Sequence, residues 1–431
     1  MNLTNECQDI REDIATDSYQ LFYERLGDWL VRTSNPKAFI VLDIDNFNLV
    51  NLMFGHDVGN AVLCEISTVL RHHLGEHGTF ARRYADRYSI MMTYESREWL
   101  RSWCKELIGA LQHLNCLVSR HFRLKPAVGI YCIPDNVHCP YEVQERAILA
   151  RKLVKSKYER YYHFFTEDLI DKQIEDKKLF DAICNGLDRK EFVPYYQTLY
   201  NMKTLEPIGA EALIRWPQAD GSMMMPAQYI HFAEQTGIIQ DIDDYMLETV
   251  CQHMAQWQKA GLTVLSIAVN VSRRRLNSSN FVEFCKKLLD RYQLPVGLLR
   301  IEITEGALAE DCIVRQQLIN DLKAIGIEVL IDDFGTGYSS LAYLKRLPLT
   351  QLKIDQSFVR DILTDKNDRT ICRSVIALGR SMGLRVLAEG VETQAHWQLL
   401  RADGCEEAQG YWFAKPLPLP ELEQWLAQHA F

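Results

Sequence analysis

Residues Ile327 to Ser340 read Ile-Glu-Val-Leu-Ile-Asp-Asp-Phe-Gly-Thr-Gly-Tyr-Ser-Ser. The first five are mostly apolar and rich in β-branched side chains, which reads as a buried strand. The run closes on two carboxylates, Asp332 and Asp333, and then on a flexible turn, Gly335-Thr336-Gly337. Adjacent side chains on a regular strand point to opposite faces. Two neighbouring acids therefore serve one metal centre only where the strand gives way to a loop. That is the layout expected of a metal-dependent active site at the mouth of an α/β barrel.

Working outward, the pattern from Phe192 onward repeats strand-like runs. They are Phe192–Gln197, Pro207–Leu213, Ser266–Val271, Leu299–Ile303, Ile327–Ile331, Gln351–Ile354, Arg385–Ala388 and Glu407–Tyr411. Helical stretches such as Asp243–Ala260 and Ile313–Ala324 separate the later ones. Eight strands in this span predict an α/β fold of the (β/α)8 barrel type. The gap between the first two is too short for a helical crossover, so they are expected to pair antiparallel. The segment before this, to about Phe165, has another texture. Ala38–Asp43, Tyr88–Thr93 and Ala127–Cys132 are strand candidates mixed irregularly with helical patterns, which suggests an α+β domain. Residues 166–187 carry apolar positions every three to four residues among many charges, and read as an amphipathic linker helix. The expected organisation is 1–165, 166–187 and 188–431.

Barrel enzymes place reactive groups at the C-terminal ends of their strands. Those ends here supply Glu211, Asn270, Glu302, Asp332, Asp333, Lys353, Glu389 and Gln409. A single strand-end acid is ordinarily a cap or a solvated charge. Eight polar groups at similar places on consecutive strands are harder to dismiss. Five carboxylates brought together would repel strongly unless cations intervened. Oxygen-rich ligation suits Mg²⁺ or Mn²⁺ rather than zinc, and a paired-metal site suits phosphodiester hydrolysis. Lys353 could be a surface lysine, but Leu352 and Ile354 flank it on a strand, which favours a role in the site. Arg215, four residues after Glu211, could clasp a phosphate or merely form a surface ion pair.

Composition narrows the class. No apolar run approaches the roughly 20 residues that span a bilayer, so no membrane segment is expected. The polar, acidic start Met1 to Asp13 does not read as a signal peptide. A cytoplasmic protein with reduced thiols is therefore expected, and none of the twelve cysteines forms a Cys-x-x-Cys pair. Residues 1–165 carry 20 Lys+Arg and 20 Asp+Glu, so the remainder carries the whole net charge of −9. That argues against nucleic acid as the main partner. An acidic pocket can still hold a small phosphate ligand across divalent cations.

Taken together, these motifs resemble the EAL-domain family of cyclic di-GMP phosphodiesterases over residues from about 175 to 431. The signature stands as Glu211-Ala212-Leu213-Ile214-Arg215-Trp216. It is followed in order by Asn270 to Ser272, Glu302 to Glu305, Asp332 to Leu341, Lys353 to Asp355, Ala388 to Thr393 and Gln409 to Tyr411. The resemblance implies metal ligands at Glu211, Asn270, Glu302, Asp332, Asp333 and Glu389, with two Mg²⁺ or Mn²⁺ ions per site. It implies a catalytic Lys353, an active-site Gln409, and Glu305 as the residue holding the loop after Asp333. Gln197 matches a substrate-contacting position, and Ser272 and Asp355 sit in matching motifs near the substrate. The implied reaction is hydrolysis of cyclic di-GMP to linear pGpG, in a homodimer formed through this domain. The departures are peripheral: Arg273 to Arg275, and Pro217 to Gly221.

Residues 17–165 resemble a GGDEF domain, the diguanylate cyclase family, in worn form. Asp43 matches the first metal-binding aspartate, Asn51 a guanine contact, and Gly55-His56 is kept. The name-giving motif is replaced by Tyr84-Ala85-Asp86-Arg87-Tyr88. Two glycines there would let the hairpin backbone approach phosphates, and side chains now stand in their place. Asn60 replaces an aspartate, Gln20 to Arg25 keep little of their segment, and Gly75 to Gly78 occupy the place of an RxxD inhibition motif. The implied domain makes no cyclic di-GMP; it binds GTP as a regulator or serves only for dimerisation or docking to a protein partner, and the loss of both glycines favours docking. A catalytically silent cyclic di-GMP receptor acting by protein contact is the alternative reading of the whole chain.

Overall fold

The computed structural model describes residues 16–32, 35–114, 123–155, 161–308, 312–335, 344 and 346–428. The polar start, and the tail of the opening motif from Thr336 to Leu341, lie outside the described residues. The chain divides into two compact units, Met1–Glu175 and Asp176–Phe431. Helix Asp168–Asp188 bridges the division.

The first unit is built on five strands: β1 (Lys37–Asp45), β2 (Gly78–Tyr84), β3 (Arg87–Thr93), β4 (Lys125–Ile133) and β5 (Tyr162–Phe164). Their order is β2-β3-β1-β4-β5, with β1 antiparallel to both neighbours. Strand β1 is buried along almost its whole length because both faces are covered. Ala38, Ile40, Leu42 and Ile44 pack with helices His56–Leu74 and Arg97–His113. The alternate residues Phe39 and Val41 pack with Thr16–Arg32 and Pro140–Lys155. Period-two alternation between two apolar layers explains why β1 shows no polar face in sequence. Strands β2 and β5 were not expected. Strand β2 carries Arg82, Arg83 and Tyr84 on a partly exposed edge, and β5 has only three residues, so neither gives a strong apolar run.

The second unit contains β6 (Val193–Asn201), β7 (Pro207–Pro217), β8 (Met223–Met224), β9 (Ile267–Asn270) and β10 (Leu299–Thr304). It continues with β11 (Glu328–Phe334), β12 (Gln351–Ile354), β13 (Arg385–Ala388), β14 (Glu407–Ala408) and β15 (Leu417–Pro418). Eight of these close a ring, β6-β14-β13-β12-β11-β10-β9-β7, which returns to β6. The fold class is therefore a (β/α)8-type barrel preceded by an α+β domain. The antiparallel β6–β7 pair is as expected, and β6 is antiparallel to β14 as well. The remaining neighbours are parallel, with helices such as Ile239–Lys259, Phe281–Tyr292 and Lys366–Ser381 packed outside. The last barrel strand is shorter than the expected Glu407–Tyr411, ending at Ala408. No described helix is long and apolar enough to cross a membrane.

Candidate active site

The strand order brings the expected residues to one end of the barrel. Register alignments place Gln197 opposite Glu211, Asn270 opposite Glu302, and Thr304 opposite Asp332. Lys353 sits within β12, while Glu389 and Gln409 directly follow β13 and β14. Lys353 is fully buried and its ammonium is the hub. Its Nζ donates to Glu302 Oε2 at 2.8 Å and Glu211 Oε2 at 3.1 Å. It also lies 2.6 Å from Glu389 Oε1 and 3.1 Å from Asp332 Oδ1. The surface reading of this lysine is excluded. Asn270 Nδ2 donates to Glu211 Oε1 at 2.8 Å. Gln409 Nε2 donates to Glu211 Oε2 at 2.9 Å and to Gln197 Oε1 at 2.8 Å.

The Asp332–Asp333 pair sits where strand geometry breaks. The β11–β12 register shifts between Ile331 and Phe334, and Asp333 has φ 54°. Left-handed backbone is unfavourable for most side chains but tolerated by aspartate. The kink lets neighbouring acids serve one locality, with Asp333 N donating to Asp332 Oδ1 at 3.0 Å. Glu305 Oε2 accepts from Gly335 N at 3.0 Å, which ties the start of the following loop to the end of β10.

One cation cannot neutralise this many acids, and burial makes the imbalance costly. Burial, followed by the Glu211 charge, pushes the Glu302 carboxyl far up. Burial raises Glu389 to about 8, outweighing Lys353. Burial also acts on Glu211, but the Lys353 ammonium and the Gln409 amide hold it below its ordinary value. Asp333 is raised to about 6 by burial and by Asp332 and Asp355. For Lys353, burial is outweighed by the four surrounding carboxylates, so its ammonium is held well above the ordinary range.

The donor set fits divalent cations. Ligand atoms of Glu211, Glu302 and Asp332 lie within 4.8 Å of one another, as do those of Asp332, Asp333 and Glu389. The two groups share Asp332. Glu302 Oε1 and Gln409 Oε1 are buried without a hydrogen-bond partner, so acceptor capacity remains in the centre. All donors are oxygen, the preference of Mg²⁺ and Mn²⁺. Beside this centre opens a cleft of about 350 Å³ lined by Gln197, Glu211, Arg215, Asp332, Glu389 and Gln409. Arg215 thus faces the cleft.

Ser272 and Asp355 do not line it. Each caps a short helix, Ser272 accepting from Arg275 N at 3.2 Å and Asp355 from Ser357 N at 2.9 Å. Two residues escaped the sequence reading. Asp243 accepts from Ser272 N at 3.0 Å and is raised to about 7 by burial. Its signal was an acid one turn from Ile239 on the apolar face of its helix. Gly410 packs where no Cβ fits, since one would lie 2.2 Å from Val391 O.

Residues 178–416 match the family model described as the EAL domain. The chain belongs to the EAL-domain family. Residues 19–158 match the model described as diguanylate cyclase, GGDEF domain, so a GGDEF domain precedes the EAL domain in tandem. The chain is 31% identical over 396 residues to MucR of Pseudomonas aeruginosa, named a bifunctional diguanylate cyclase/cyclic di-GMP phosphodiesterase. That match covers 91% of this chain and 57% of MucR. It is 31% identical over 394 residues to NbdA of the same organism, named a cyclic di-GMP phosphodiesterase, covering 91% of this chain and 50% of NbdA. The chain spans about half to three fifths of the length of such curated relatives. A solved structure named PaMucR phosphodiesterase, c-di-GMP complex, is 36% identical with a TM-score of 0.55. It matches 57% of this chain and 99% of that chain.

In the GGDEF domain, Asp43 is buried and hydrogen-bonded by Arg151 Nη1, with Arg87 Nε 3.6 Å away. Asp86 is raised to about 7 by burial and by its hydrogen bond to Asp43. Ala85 holds φ 47° at the tip of the β2–β3 hairpin, a conformation suited to glycine. The Tyr84 ring lies under Arg83 and Arg87, at 5.3 and 5.6 Å.

Proposed function

We propose that the chain is a metal-dependent phosphodiesterase that hydrolyses cyclic di-GMP to linear pGpG. The observation that carries this reading is the complete ring of strand-end groups around Lys353, beside a cleft lined by Gln197 and Arg215. Glu211, Asn270, Glu302, Asp332, Asp333 and Glu389 would hold two Mg²⁺ or Mn²⁺ ions. Such ions, when bound, polarise phosphoryl oxygens and lower the pKa of an attacking water. Arg215 and Gln197 orient the phosphodiester in the cleft. Lys353 Nζ, donating from the buried hub, positions the water and opposes charge building on the phosphate. Gln409 fixes one oxygen of Glu211, and Glu305 holds the loop that follows Asp333. Ser272 and Asp355 act on the substrate's surroundings through the helices they cap.

The silent-receptor alternative keeps binding but not turnover. Incubating the purified protein with cyclic di-GMP and Mg²⁺ or Mn²⁺, and separating the products, decides between them. Accumulating pGpG is expected; tight binding with unchanged substrate would establish the receptor.

Two further outcomes follow from the geometry. Cations compete with protons for Glu302, Glu389 and Asp333, whose carboxyls are all raised. Mn²⁺ affinity measured by calorimetry is therefore expected to strengthen from pH 6 to pH 8, with proton release on binding. Affinity unchanged over that window contradicts the ligand assignment. Gly410→Ala places a methyl 2.2 Å from Val391 O and 2.3 Å from Val391 N. Backbone must move beside Gln409, at a stability cost of about 1–3 kcal/mol. Turnover is expected to fall roughly tenfold or more, since small misplacements near reacting groups are costly; wild-type kinetics would show that this contact does not position Gln409.

The GGDEF domain is proposed to lack cyclase activity. Arg151 and Arg87 already compensate Asp43, where the resemblance places a metal, and the hairpin tip carries side chains where glycines would admit phosphates. Regulation, dimerisation or protein docking is then its role. We further propose a cytoplasmic homodimer formed through the EAL domain.

A further inference from the structure

The GGDEF domain carries a basic groove apart from the surroundings of Asp43. Helix Arg97–His113 places Arg97, Arg101 and Lys105 four residues apart, so the three cations form one row along the helix. With Tyr161, Tyr162 and Phe164, at and beside the edge strand β5, they line a groove of about 730 Å³. The guanidinium carbons of Arg97 and Arg101 lie 5.3 and 5.7 Å from the Phe164 ring centroid. Such stacking holds both guanidiniums in place ahead of any ligand. Neither Asp43, Asn51 nor Asp86 lines this groove.

Two local features of the row run against helix preference. Like charges at i and i+4 oppose helix formation. Yet none of the three cations is ion-paired among the described residues. Gly109, one turn past Lys105 on the same groove, sits in the helix interior, where glycine is unfavourable. A Cβ there would meet nothing within 4 Å, so no packing contact in the domain requires glycine. Both the cations without an ion-pair partner and the open floor face one cavity. Departures from local preference that share a location are expected at functional or strained sites.

We propose that this groove binds a nucleotide-sized organic polyphosphate. Its phosphates run along Arg97, Arg101 and Lys105, and its flat base lies against Tyr161 and Tyr162. The row spans about 12 Å of helix, the reach of one polyphosphate tail and not of a nucleic-acid tract. The neutral balance of residues 1–165 also disfavours a long polyanion. An aromatic wall beside cations is the pairing that recognises a base joined to phosphates. The groove volume lies within the range of small-molecule sites.

The test is calorimetric titration of the full chain in EDTA, so that the carboxylate centre of the EAL domain holds no cation. The probes are ATP, GTP and inorganic tripolyphosphate. One-site nucleotide binding, tighter than tripolyphosphate, is expected. The double variant Arg101→Glu, Lys105→Glu should weaken it by roughly 30-fold or more. Gly109→Leu fills the groove without altering charge and favours the helix, so it reports even where the charge reversal misfolds; roughly a tenfold loss is expected. Asn51→Ala should leave binding unchanged. The proposal is overturned by absence of binding, by undiminished binding in both groove variants, by loss in Asn51→Ala instead, or by equal affinity for tripolyphosphate and the nucleotides.

Discussion

Lys353→Met is expected to lower cyclic di-GMP turnover by on the order of 10²–10³-fold or more. It should also lower the melting temperature at pH 8 in the absence of divalent cation. The ammonium is fully buried within 3.1 Å of four carboxylates. Removing one partner of a buried ion pair costs about 3–5 kcal/mol, because the remaining charge is left without compensation. Here the residue serves several acids at once. Without Lys353 they must take up protons or repel. The folded pKa values of Glu302 and Glu389 already lie above their ordinary value, Glu389 at about 8. The folded variant therefore binds more protons than the unfolded chain, and its stability falls as pH rises from the ordinary carboxylate range through 8. Scanning calorimetry should show a small deficit near pH 5 and a larger one at pH 8. Mn²⁺ should restore the melting temperature, since it supplies the missing charge, but not the rate. An unchanged melting temperature at pH 8 would show that the ammonium does not hold the cluster together, and near-normal turnover would remove Lys353 from the chemistry.

Glu211→Gln separates chemistry from fold. Glu211 receives hydrogen bonds from Lys353, Gln409 and Asn270. Glutamine keeps the shape of the side chain but offers a neutral amide where a cation needs an anion. It also neutralises the one acid of the cluster that Lys353 and Gln409 hold ionised, so the melting temperature should fall modestly while the fold is kept. Turnover is expected to fall on the order of 10³-fold. Cyclic di-GMP binding should weaken far less, because Arg215 and Gln197 remain in the cleft. Steady-state kinetics with Mn²⁺, beside a binding isotherm, measure both effects. A fully active variant would sink the assignment of Glu211 as a ligand.

Most of this site is legible in the sequence, for a physical reason. In a parallel barrel the C-terminal ends of all strands converge, so residues scattered from Gln197 to Gln409 share one location once strand ends are recognised. The short apolar runs of β9 to β13 marked those ends well because they are buried on both faces. Strands β2 and β5 were hidden, since an edge strand with arginines and a three-residue strand lack that signal. Side-chain direction was also hidden. Ser272 spends its hydroxyl oxygen on a helix cap, and Asp355 caps a helix with one oxygen while its carboxyl also faces Asp333. Asp243 holds the backbone of Ser272 through a tertiary hydrogen bond whose partner no local pattern announces. The kink at Asp333 is a backbone feature that the adjacency of two acids implied but could not define.

The most direct test of the account is hydrolysis of cyclic di-GMP in ¹⁸O-labelled water with Mn²⁺ present. Linear pGpG carrying one ¹⁸O in its terminal phosphate is expected, with none formed in EDTA. Cyclic di-GMP that binds but remains uncleaved, or a product whose phosphate lacks the label, would contradict it.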